Sequence, residues 1–170
     1  MALKDDPLAF AVVGCAMRVH SALGHDFLES TYGDALEIEF RQCSIPFSRE
    51  GEIRVYYNGQ PLATRYRADF FCGNGQCIVE LKAVRKVTPI EWAQVMHYLR
   101  ASHADSAVLL NFGAPKLHYD YFNRASLRHS ISPEALAEGC HPSEFPQAHP
   151  PSPNNPEALA EGCHPSEFPP

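Results

Sequence analysis

Residues 131–170 contain no lysine and no arginine, against six glutamates, so this stretch carries the whole formal charge of −6. Residues 1–130 hold all 14 Lys and Arg and an equal number of Asp and Glu, and are neutral. A neutral domain lacks the clustered cations that hold nucleic acid regardless of sequence. What it offers instead is a local basic patch of Arg65, Arg67, Lys82, Arg85 and Lys86. No run reaches the ~20 apolar residues of a membrane helix, so no membrane partner is expected. The opening Met-Ala-Leu-Lys-Asp-Asp has neither the basic nor the apolar region of a secretory signal. The expected compartment is therefore the cytoplasm, with thiols reduced. None of the six cysteines forms a C-x-x-C pair, and their number speaks against an iron–sulfur cluster.

The 170 residues suffice for one domain and little more. Ten of the fifteen prolines fall in residues 133–170. There the segment PEALAEGCHPSEFP, Pro133–Pro146, recurs unchanged at Pro156–Pro169. Two copies do not make a solenoid. High proline content and unpaired acids predict a disordered tail over 131–170, following a folded domain over 1–130. Each copy carries a Cys-His pair, Cys140-His141 and Cys163-His164. Adjacent residues chelate poorly, and closing a flexible tail costs entropy, which argues against a zinc site there.

Within the domain, Leu8, Val12, Cys15, Val19 and Leu23 recur at helical spacing, with Gly24 placed to end the helix. A second helix is predicted from about Phe27 to Cys43. Asn58-Gly59 marks a hairpin between strands Glu52–Tyr57 and Gln60–Tyr66, and Asn74-Gly75 another between Arg67–Cys72 and Gln76–Ala83. Thr88-Pro89-Ile90-Glu91 reads as an N-cap, a first-turn proline and a closed capping box, starting a helix that runs to about Ser102. Ala107–Phe112 is apolar enough to be a strand buried on both faces, and Lys116–Phe122 supplies a possible edge strand.

The second hairpin concentrates chemistry. With Asn74-Gly75 as a two-residue loop, Cys72 faces Cys77, Phe70 faces Val79 and Asp69 faces Glu80. Period-two alternation then puts Glu80 and Lys82 on one face with Asp69. Two adjacent acids repel unless a cation lies between them. A divalent-metal site with a lysine beside it suits metal-assisted phosphodiester hydrolysis. Cys72 and Cys77 on the opposite side read as two small buried thiols, with a cross-strand disulfide or a metal pair as the alternative. Taken singly, each element of this pattern has a plainer reading. An acid such as Glu29 is simply favourable in a first helical turn, and Gln94 with Tyr98 is a surface glutamine beside a core tyrosine.

Taken together, Glu29, Asp69, Glu80-x-Lys82 and Gln94-x-x-x-Tyr98 resemble the PD-(D/E)xK nuclease superfamily. The segment Gly24-His25-Asp26-Phe27-Leu28-Glu29-Ser30-Thr31-Tyr32 resembles the signature of the GxxExxY protein family. Asp26 stands where that family has its glycine, with a changed entry to the second helix or one more acid near the metal as the expected consequence. The resemblance spans about residues 8–125. It implies an α/β, restriction-endonuclease-like core, a mixed sheet flanked by helices. It further implies Mg²⁺ or Mn²⁺ held by Asp69, Glu80, Glu29 and the Leu81 carbonyl, with Lys82 stabilising the transition state. Gln94, Tyr98 and Arg67 would bind substrate, with His97 a further phosphate contact. Nucleic acid is the implied partner, DNA ahead of RNA. The competing readings are a nuclease-like domain that binds nucleic acid without cutting it, an interaction domain whose charged hairpin is a solvated face, and an enzyme on another phosphodiester or tRNA-like substrate.

Overall fold

The computed structural model describes residues 2–125. The expected tail disorder, the duplicated segment and its Cys-His pairs lie outside the described residues. After a 3-10 turn, Leu3–Asp5, come helices α1 (Pro7–Leu23) and α2 (Glu29–Gln42). The strands β1 (Phe47–Tyr57), β2 (Gln60–Cys72) and β3 (Cys77–Lys82) follow, then helix α3 (Pro89–Ala101) and strands β4 (Ser106–Asn111) and β5 (His118–Asn123).

Local chemistry accounts for most boundaries. Asp6 caps α1 by accepting the Ala9 N–H at 3.0 Å, and Gly24 ends it at φ 75°, in the left-handed region that glycine tolerates. The expected capping box of α3 is present: the Thr88 N–H donates to Glu91 Oε2 at 2.7 Å, and the Ile90 N–H to Thr88 Oγ1 at 3.3 Å. Asn58-Gly59 and Asn74-Gly75 both take positive φ at the two loop positions, as a type I′ turn requires. Most ends shift by one or two residues from expectation, and three differences have a bearing on the site. Helix α2 starts at Glu29 rather than Phe27, because a tyrosine described below holds residues 24–28 in a bent loop. Strand β1 starts at Phe47 rather than Glu52. The two predicted strands Gln60–Tyr66 and Arg67–Cys72 are one continuous β2, since no turn residue separates them.

The sheet order is β1-β2-β3-β4-β5. Strands β3 and β4 are parallel and joined by the crossover α3, while every other neighbour is antiparallel. Alternation sorts β3 cleanly. Cys77, Val79 and Leu81 join a core with residues of α1 and α2, while Ile78 enters the core packed under Val95, Tyr98 and Leu99 of α3. All six residues of β4 are buried, as expected for a strand covered on both faces. This mixed sheet with helices on its faces is the restriction-endonuclease-like fold expected.

Candidate active site

The hairpin register is the one counted from the turn: Cys72 pairs with Cys77, Phe71 with Ile78 and Phe70 with Val79. The backbone ladder stops there. At the next position the Asp69 side chain takes over, accepting the Leu81 N–H on Oδ2 at 2.7 Å. On the other side of β2, the β1 ladder skips the Glu50–Asp69 pair, and Glu50 has φ 54°. Asp69 thus sits at an interruption of both ladders.

Glu80 is 3% exposed, which is rare for a glutamate. It lies on the α3 side of β3. Its Oε1 accepts from Lys82 Nζ at 2.7 Å, while its Oε2 is buried without a hydrogen-bond partner. Burial first, then the charge of Asp69, push the Glu80 carboxyl up to about 7, against the pull of Lys82. Burial acts against the Lys82 ammonium, but Glu80, Glu29 and Asp69 outweigh it and raise its pKa.

Glu29, the first residue of α2, joins them. Burial of its carboxyl raises its pKa, as does Asp69, while Lys82 and the Ala83 N–H that donates to it lower it. What brings Glu29 there is Tyr32. Its ring is fully buried and stacks on Phe112 with centroids 4.4 Å apart. Its hydroxyl donates to the Gly24 carbonyl at 2.9 Å and accepts the Phe27 N–H at 3.2 Å, so one side chain folds residues 24–28 into the approach to Glu29. Beyond Lys82 the chain is held by Asn111, buried at the end of β4, whose Oδ1 accepts the N–H groups of Val84 and Gly113, each at 3.1 Å. From the sequence, Asn111 belongs to the segment Leu110-Asn111-Phe112-Gly113 that shares the family resemblance, and Tyr32 to the apolar side of the second helix, but neither polar group has an assigned role there.

The remaining site expectations divide. Gln94 Nε2 donates to the Tyr98 hydroxyl at 2.7 Å. Burial, and after it Glu80 and Asp69, raise the Tyr98 pKa, partly offset by Gln94 and Lys82, so α3 does bring this pair to the acids. Arg67 is not brought in. It is exposed and pairs with Glu50 at 3.1 Å. Arg65 is likewise held by Glu52 at 2.8 Å, so two members of the expected basic patch are neutralised by neighbours on the same hairpin. Asp26 pairs with His25 at 3.0 Å with its side chain 89% exposed, and adds no acid to the cluster. His97 is exposed and lines a separate groove with Tyr56, Tyr66 and Arg100. Cys72 and Cys77 are buried free thiols, as expected.

The cluster offers carboxylate oxygens, one of them orphaned in a buried position, which is the donor set a hard divalent cation takes. The carboxylates do not converge as tightly as Cys15, Glu39 and Cys43, whose sulfur and oxygen atoms lie within 4.8 Å of one another. Glu80 leans on Lys82 and Asp69 on Leu81 instead.

A family model described as the PD-(D/E)XK nuclease superfamily matches residues 6–124. The chain belongs to that superfamily, whose members are in general metal-dependent nucleases acting on nucleic acid. Among solved structures, one titled "Crystal structure of SSO0001" is similar at 19% identity with a TM-score of 0.40. The match covers 67% of this chain and 65% of that one, just under two thirds of its length. Comparison with curated proteins gives no match. No described helix is long and apolar enough to cross a membrane.

Proposed function

We propose that this chain is a Mg²⁺- or Mn²⁺-dependent nuclease that hydrolyses phosphodiester bonds, with DNA as its substrate. One observation carries the reading. A glutamate is buried at the end of an apolar strand with one oxygen on a lysine and the other unpartnered, beside a second carboxylate. An interaction surface would leave such a pair solvated, because burying an unsatisfied carboxylate oxygen costs roughly 1–3 kcal/mol or more. A bound cation would supply the missing partner.

In this reading Asp69, Glu80 and Glu29 hold the metal. The Leu81 carbonyl joins them, because a strand residue points its N–H and C=O to the same side, and the Leu81 N–H already faces Asp69. A bound divalent ion supplies an acidified water and neutralises charge on the scissile phosphate. The protein's own part is positional and electrostatic. Lys82, fixed by Glu80, places a cation where charge develops on the phosphate. Gln94 and Tyr98 hold the strand from α3, and Arg67 remains a candidate for a more distant phosphate if it releases Glu50. Tyr32 and the loop it folds support membership of the GxxExxY group. The chemistry is assigned to residues 1–130, with 131–170 outside it, and the four free thiols of the described residues suit a reducing cytoplasm.

The test is a cleavage panel on single- and double-stranded DNA and RNA with Mg²⁺ and Mn²⁺. Metal-dependent cleavage of DNA is expected, falling at least about 100-fold in Glu80→Ala and in Lys82→Ala. Cleavage that survives both substitutions would sink the assignment.

A further inference from the structure

Away from the acids, a second cluster joins α1 to the end of α2. Cys15 is fully buried on α1, and Cys43 is exposed at the C-cap of α2. Their sulfurs and a Glu39 oxygen lie within 4.8 Å of one another. Arg18 sits among them. Its Nη2 donates to Cys43 Sγ at 2.8 Å and to Cys15 Sγ at 3.3 Å, while its Nε donates to Glu39 Oε2 at 2.6 Å. The guanidinium occupies the place a metal ion would need, so the cluster is better suited to thiol chemistry than to metal binding.

We infer that Cys43 and Cys15 form a peroxide-reactive thiol pair that closes to a disulfide between α1 and α2. Peroxide-sensing cysteines share three features, and all are present here. The attacking cysteine is an exposed residue, a cation lies against its sulfur, and a second thiol stands within reach to resolve the oxidised product. The roles follow from burial. Desolvation, and then the hydrogen bond and charge of Cys43, push the Cys15 thiol up to about 12, with Glu39 adding to this and Arg18 opposing it. Cys15 therefore keeps its proton, and Cys43 meets the oxidant.

In the first step the Cys43 thiolate attacks one peroxide oxygen. An S–O bond forms, the O–O bond breaks, and the departing hydroxide leaves as water with the proton that the Cys43 thiol gave up. Sulfur is oxidised to a sulfenic acid and the peroxide is reduced. In the second step the Cys15 sulfur attacks Cys43. The S–S bond forms, the S–O bond breaks, and the hydroxyl leaves with the Cys15 proton as a second water. Overall, two thiols and one peroxide give one disulfide and two waters. The crosslink staples the C-terminal end of α2, the helix that begins at Glu29, to the middle of α1.

The experiment treats full-length protein with hydrogen peroxide and maps its peptides by mass spectrometry. A Cys15–Cys43 disulfide, reversed by dithiothreitol, is expected. Over-oxidation of Cys43 with Cys15 still free, or linkage of Cys43 to Cys72, Cys140 or Cys163, would overturn the proposal. In Cys15→Ser, dimedone should trap a sulfenic acid on Cys43, and its absence in a folded variant counts against the mechanism. Should that variant fail to fold, the wild-type map decides alone. Arg18→Gln should slow Cys43 oxidation about 10-fold, with partial recovery in Arg18→Lys. An unchanged rate overturns the role given to Arg18.

Discussion

Glu80 carries a titration that can be measured apart from any cleavage. In the folded protein its carboxyl stands near 7, above the ordinary 4.5. Between those values the folded state binds the proton and the unfolded chain does not, so stability falls as pH rises through that window. Relative to Glu80→Gln, which cannot titrate there, the metal-free wild type should lose on the order of 1–3 kcal/mol between about pH 4.5 and pH 7. Denaturant melts of both proteins across that range are the check, and parallel curves would contradict the shift. Mg²⁺ or Mn²⁺ requires the ionised carboxylate, so the metal should raise the melting temperature more at pH 8 than at pH 5. Tyr32→Phe keeps the ring that stacks on Phe112 but removes the hydroxyl that gathers Gly24 and Phe27. It should cost about 1 kcal/mol and lower cleavage through a misplaced Glu29, visible as reduced kcat with little change in KM. At this scale Asp69 and Glu80 were legible, because a two-residue turn counts out its own register. Asn111 and the burial of Glu80 were not, because both depend on which strand lies alongside.

Elements announce themselves by their ends. The caps of α3 and the glycine after α1 are short-range hydrogen-bond and φ preferences, and they fall where the residues say. The start of α2 is decided elsewhere, by a tyrosine three residues inside the helix that folds the preceding loop. Strand β1 extends back to Phe47, five residues before the expected Glu52, and runs through Gly51. Gly51 is the one residue that fits under Phe71, whose ring would lie 2.2 Å from an added Cβ. A comparable constraint guards the exit of β3. A Cβ on Gly113 would meet the backbone of Ala83 and Val84 at 2.4–2.5 Å, where neither neighbour can yield as a flexible side chain would. Gly113→Ala should therefore destabilise by roughly 2–4 kcal/mol and weaken cleavage by displacing the Ala83 N–H that Glu29 accepts. Thermal melts and a kcat measurement test the two halves separately. A stable variant with full activity would show that the loop relaxes freely.

For the whole chain, the proposed division at residue 130 has a direct consequence. A protein ending there loses six glutamates and no lysine or arginine, moving from a formal charge of −6 to zero. It should melt within about 2 °C of the full chain, and bind DNA more tightly at low salt with the gap closing as salt rises. A large fall in melting temperature would refute the division. The amino-acid sequence by itself determined the pieces whose causes are local: the capping box of α3, the glycine after α1, the two asparagine–glycine turns and the β2–β3 register from Cys72–Cys77 to Phe70–Val79. Those follow from φ preferences and hydrogen bonds a few residues long. Only the tertiary structure decided what the pieces become. Parallel pairing with β4 and cover from α3 take Glu80 out of water, raise its proton affinity and strand its second oxygen. Packing of Tyr32 on Phe112 brings Glu29 across from another helix. The hairpin partners Glu50 and Glu52 take up Arg67 and Arg65. Burial and charge pairing are properties of the surroundings, and the surroundings of a side chain are set by residues far from it in the chain.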